Sequence, residues 1–113
     1  MKNIAIINLS VFIFLCFFET IGAQIVISTP SLGFTQACAS PSFNTYNVSF
    51  TFSPESSLGG TNQFILELSD DTGSFLNATT IYTSAQGNIT TSPANLTFSF
   101  PTTIAGESYK LRI

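Results

Sequence analysis

The chain has 113 residues, 8% charged and 13% aromatic, with 12 Phe, no Trp, no His and a net charge of −3. With no basic cluster to neutralise phosphates, nucleic acid is excluded as a partner. The absence of His excludes Ser-His-Asp and Cys-His nucleophile systems and His-based metal sites in their usual form.

The first element is an export signal. Lys2 follows Met1, Ile4 to Phe18 is an almost unbroken apolar run, and Gly22-Ala23 follow a polar break at Glu19-Thr20. A basic start, an apolar centre of about 7–15 residues and a small residue before the cut make a secretory signal peptide. The competing reading is a membrane anchor, but a bilayer span takes about 20 apolar residues. Asn8, Ser10 and Glu19 shorten this run further, and bulky Leu15 before Cys16 disfavours a lipoprotein anchor. Residues 1–23 are therefore expected to be removed after export through the Sec pathway. That leaves residues 24–113 as one secreted or cell-surface domain with no membrane span.

Residues 24–113 carry Glu55, Glu67, Asp70, Asp71 and Glu107 against Lys110 and Arg112, and 28 of these 90 residues are Ser or Thr. Charge is too sparse for a solvated tail, and the Phe, Ile and Leu content predicts a packed core. Thr suits the solvent face of strands. Gln24 to Thr29 reads as a first strand. Cys38 comes next, alone once Cys16 leaves with the signal. An unpaired Cys in an exported protein implies a buried thiol, an intermolecular bridge or a partner beyond the stretch in hand.

Tyr46, Val48, Phe50 and Phe52 alternate with Asn47, Ser49, Thr51 and Ser53. Successive strand side chains point to opposite faces, so this segment has one aromatic wall and one small polar wall. The same period returns in Phe64, Leu66, Leu68, then in Leu96, Phe98, Phe100, and last in Tyr109, Leu111, Ile113. Thr79 to Thr83 reads as a short edge strand. Turn signals separate these runs: Pro54 to Ser57 with Gly59-Gly60, Asp70 to Gly73, Ala85 to Asn88, and Pro101 to Gly106. No segment of 24–113 has a helical stripe. Half-buried strands spaced this way predict an all-β fold, an antiparallel immunoglobulin- or fibronectin-like β-sandwich. Because the last run stops inside its alternating pattern, the domain is expected to be incomplete, with a closing strand and a partner for Cys38 further on.

Tyr109 follows the Gly-containing connection Thr103 to Ser108. Two readings stand for it. One is the corner tyrosine of such sandwiches, whose hydroxyl bonds back to the preceding loop; the other is a core Tyr with its oxygen at the surface. Both are structural.

The run Phe64 to Phe75, with Ala78 to Ile81 and Pro101 to Arg112, resembles the immunoglobulin-like domains of large surface proteins in flavobacterium-type gliding bacteria. Some of those are gliding-motility-associated proteins exported by the type IX secretion system. The resemblance rests on Asp70, Gly73 and Phe75 in one hairpin and on Gly106, Tyr109, Leu111, Arg112 and Ile113 in the late strand. It covers most of 24–113, and its motifs mark a fold rather than an active site. A type IX passenger also carries a C-terminal sorting domain, and none is visible in these residues.

Candidates for chemistry are few. Cys38 has no neighbouring base to hold it as a thiolate, so a core or disulfide role is expected. Asp70 and Asp71, with Glu67 nearby, invite a calcium loop, which needs several carboxylate and carbonyl oxygens. The acids lack the one-in-two spacing of an EF-hand, and Asp-x-x-Gly between strands is what a hairpin turn asks for. As a glycosidase pair they fare worse, because such carboxyls stand about 5–9 Å apart across a cleft. No catalytic, cofactor-binding or metal residue is therefore assigned, and the domain is not expected to be an enzyme.

Asn47, Asn77, Asn88 and Asn95 each head an N-x-S/T triplet. In so Ser/Thr-rich a chain about two such triplets arise by chance, so the four say little about glycosylation. Two functions remain. The first is a structural or adhesive module of a larger secreted or surface protein, its partners the following domains, surface proteins or polysaccharide. The second is an accessory or carbohydrate-binding domain of a secreted hydrolase. A sugar platform needs exposed aromatics, preferably Trp; there is no Trp, most Phe are in phase with the buried faces, and only Phe43, Phe75 and Tyr82 are expected at the surface.

Overall fold

The computed structural model describes residues 24–113, so the signal peptide expected at 1–23 lies outside the described residues. Its strands are β1 (Val26–Ile27), β2 (Ser31–Leu32), β3 (Tyr46–Phe50), β4 (Phe52–Ser53), β5 (Ile65–Leu68), β6 (Thr79–Thr83), β7 (Ala94–Phe98) and β8 (Leu111–Arg112). A single 3-10 turn, Glu55–Ser57, is the sole helical element among the described residues. The strands form two three-stranded sheets, ordered β2-β3-β7 and β6-β5-β8, and a β1-β4 ribbon. All pairings are antiparallel.

Period-two alternation becomes burial directly. On β3, Tyr46, Val48 and Phe50 are buried, and they lie opposite Phe98, Leu96 and Ala94 of β7, which are buried too. Each cross-strand pair thus presents matched apolar groups on one face. Phe64, Leu66 and Leu68 give the second sheet its apolar face, and with Phe52 and Phe100 all these residues form one cluster. Phe64 lies 5.0 Å from Phe50 and 5.1 Å from Phe52, ring centre to ring centre, joining the sheets through aromatic contact. Two antiparallel sheets sharing one core are consistent with a β-sandwich.

The expected first strand, Gln24 to Thr29, is corrected. Pairing runs Val26↔Ser53 and Ile27↔Phe52, then resumes at Ser31↔Ser49 and Leu32↔Val48. Residues 28–30 therefore face only residues 50–51, a one-residue bulge. Pro30 sits in it, and proline has no N–H for a ladder, so the bulge falls where the ladder would otherwise break. Ser28 holds the junction, its N–H donating to the Thr51 carbonyl at 2.9 Å while its Oγ accepts from the Thr51 N–H at 2.9 Å.

Buried polar groups fix the ends of the strands. Ser84, 2% exposed, accepts the Phe64 N–H on its Oγ at 2.9 Å and donates its own N–H to the Phe64 carbonyl at 2.9 Å. Asn44 grips the end of β7 with its amide, donating to the Phe100 carbonyl at 2.6 Å and accepting the Phe100 N–H at 2.9 Å. At the β5–β6 turn Gly73 has φ +81°, and a Cβ there would lie 2.9 Å from the Ser108 carbonyl oxygen. Both the left-handed backbone and the close approach require glycine.

Candidate functional site

The acids singled out in the sequence sit at the β5–β6 hairpin, where Asp70 is part of the turn itself. Its Oδ1 accepts from the Thr72 N–H at 3.0 Å, the Thr72 hydroxyl at 2.7 Å and the Ser74 N–H at 2.9 Å. The Thr72 hydroxyl above all, and then the Ser74 amide, hold the Asp70 carboxyl below its ordinary value. Donors to the charged form favour ionisation. That oxygen is thus engaged by the loop. Among the described residues no group of three or more His, Cys, Asp or Glu is placed to hold a metal ion.

This geometry gives a pH prediction with a definite sign. A depressed folded-state pKa stabilises the fold above the unfolded value and stops doing so as pH falls through the folded value. Asp70→Ala should lower the melting temperature at neutral pH, and the gap to the parent should close on acidification through the carboxylate range. Asp71, which is exposed and outside this network, should leave the melting temperature at neutral pH nearly unchanged when changed to Ala. Melting curves from neutral pH into acid check both.

Glu67 does not face Asp70. It lies opposite Arg112 in the β5–β8 ladder, and Arg112 Nε donates to Glu67 Oε2 at 2.6 Å. The guanidinium also lies 4.5 Å from the centre of the Phe75 ring. Glu67, Phe75 and Arg112 therefore make one surface stack of ion pair and cation–π contact. Exposed pairs contribute about 0–1 kcal/mol and are screened by salt, and a cation–π contact about 0.5–1 kcal/mol. Arg112→Gln should accordingly cost about 1 kcal/mol in denaturant unfolding at low salt, and less at high salt.

Tyr109 resolves to the second of its two readings. It is half-buried, and its hydroxyl makes no hydrogen bond among the described residues. Its ring crosses Gly106, where a Cβ would come within 3.0 Å of Tyr109 Cε2. The tyrosine that pins a loop is Tyr46, at the start of β3 and 7% exposed. Its hydroxyl accepts the Cys38 N–H and donates to the Cys38 carbonyl at 2.9 Å. Cys38 itself corrects the core expectation: it is exposed, and its thiol is free among the described residues. Tyr46 draws in the Cys38 backbone, not its side chain.

Of the three aromatics expected at the surface, only Phe43 is fully there, 64% exposed. Arg112 covers one face of Phe75, and Tyr82 packs against the core. The four sequon asparagines, Asn47, Asn77, Asn88 and Asn95, are all exposed. Two of these triplets lie face to face on the outer side of β3 and β7: Asn47 opposite Thr97, and Ser49 opposite Asn95. Thr97 Oγ1 donates to Asn47 Oδ1 at 2.7 Å.

A cleft of about 900 Å³ has Leu32, Phe34, Phe100, Ile104, Tyr109 and Leu111 in its wall. It lies between β2 and β8, and Leu68 and Phe75, on either side of the Asp70 turn, also line it. Its only charged lining residues are Glu107 and Lys110. Comparison with protein-family models, curated proteins and solved structures gives no match.

Proposed function

We propose that residues 24–113 form an immunoglobulin-like extracellular module that acts through its fold, as a spacer or adhesive unit of a secreted or surface-displayed protein. The observation that carries this reading is how the polar residues are used. Asp70 closes a turn, Glu67 and Arg112 pair across strands, and Tyr46, Ser84 and Asn44 hold strand ends. Each of these groups is engaged in holding a turn, a strand pair or a strand end in place. The export signal sets the place of work outside the cell, and the hairpin and late-strand resemblance favours a surface protein of the gliding-bacterium type.

A second reading, a carbohydrate-binding accessory domain, is favoured by one observation, the exposed Phe43 ring. Pull-down on insoluble polysaccharides distinguishes the two. The structural reading expects Phe43→Ala and the parent to behave alike. Retention of the parent that the substitution removes would instead favour the sugar-binding domain. Processing is checked by intact mass: exported material should begin at Gln24, and a retained Met1 on membrane-bound protein would overturn the extracellular assignment.

A further inference from the structure

We propose that the open side between the two sheets takes an added β-strand, an extended polypeptide segment with apolar side chains at alternate positions that pairs with β8. β8 is the edge of the β6-β5-β8 sheet. Lys110 directs both its backbone groups at β5: its carbonyl accepts the Ser69 N–H at 2.9 Å, and its N–H donates to Ser69 Oγ at 2.8 Å. In an antiparallel ladder the direction alternates from residue to residue. The N–H and C=O groups of Tyr109, Leu111 and Ile113 therefore point away from β5, along an edge that is unpaired among the described residues.

The space beside that edge is hollow, with apolar Leu32, Tyr109 and Leu111 interleaved with polar Thr35, Gln36 and Glu107 in its wall. The cleft of about 900 Å³ lies between Leu32 of β2 and Tyr109 and Leu111. A separate, smaller one of about 300 Å³ lies between Ile27 of β1 and Ile113. Across the opening Val26, Ile27 and Leu32 are 68%, 37% and 39% exposed. One kind of occupant meets both demands at once. A strand offers backbone partners to the edge and turns every second side chain into the cleft. A small apolar ligand would leave the backbone edge unpaired. A second copy pairing through its own β8 would keep its inward side chains in its own core and leave both clefts empty. The inference rests on sheet geometry and stands independently of the extracellular reading.

The test titrates the purified protein with a synthetic peptide alternating valine and threonine, with terminal lysines for solubility. Binding should raise the melting temperature and slow hydrogen exchange at the Leu111 and Ile113 amides. Two control peptides separate pairing from mere apolar contact. A peptide of the same composition with its valines in one block should bind at least about tenfold more weakly. N-methylation of the amides facing β8 should weaken binding by about tenfold or more, since each net hydrogen bond is worth about 0.5–1.5 kcal/mol and about 1.4 kcal/mol is tenfold. N-methylation at the intervening positions should not. Equal binding of alternating and blocked peptides, indifference to which amides are methylated, or no binding at all would overturn the proposal. So would protection of Leu111 and Ile113 that rises with protein concentration alone, since a second copy would then be the occupant.

Discussion

Phe50→Ala and Phe98→Ala are each expected to cost about 3–5 kcal/mol and to leave the protein largely unfolded. Both rings are nearly inaccessible, at 2% and 4% exposure, and they come from strands joined in one ladder, β3 and β7. Phe50 lies 5.0 Å from Phe64 on the other sheet, while Phe98 stacks edge-on against Phe100 at 5.2 Å. Truncating either removes apolar burial and opens a cavity that rigid sheets cannot close. A domain this small buries a modest fraction of its surface, so its total stability lies toward the low end of about 5–15 kcal/mol. Phe43→Ala, at a ring 64% exposed, is the matched control and should shift the denaturation midpoint little. Urea unfolding followed by circular dichroism reads all three.

Tyr46→Phe should cost about 1–3 kcal/mol, whereas Tyr109→Phe should stay within about 0.5 kcal/mol. The Tyr46 hydroxyl satisfies a donor and an acceptor of the same residue, Cys38, so its loss leaves two backbone groups without their partner. Tyr109 loses no bond among the described residues when its oxygen is removed. Thermal melts of the two variants should differ clearly, and the Cys38 amide should exchange faster in Tyr46→Phe only. The opposite order would restore Tyr109 as the corner tyrosine.

The contrast between these two tyrosines shows what local sequence carries and what it does not. Alternation over Tyr46 to Phe52, Phe64 to Leu68 and Leu96 to Phe100 is a direct record of which side chains face the core, because strand geometry fixes a period of two. The buried set follows it residue by residue. Thr79–Thr83 likewise emerges as an edge strand of its sheet. A hydroxyl's partner depends instead on which loop crosses the ring, and nothing in the spacing of Cys38 and Tyr46 announces that clamp. Asn44 and Phe100, Glu67 and Arg112 meet across separations of 56 and 45 residues. Such contacts appear only when the sheets assemble. The split of the first strand was legible in principle, since Pro30 cannot supply a ladder N–H. The Asp70 turn was legible as a turn. That its carboxylate takes three donors at once was not.

The extracellular assignment of a fold whose polar groups are engaged in holding it together is tested most directly by surface labelling. Lys110 is exposed and is the only lysine in residues 24–113. Intact cells and their medium are treated with a membrane-impermeant amine-reactive biotin, and the captured protein is weighed. The account predicts Lys110 labelled without lysis, on a chain that begins at Gln24. Labelling that appears only after lysis, on a chain retaining Met1 and Lys2, would contradict it.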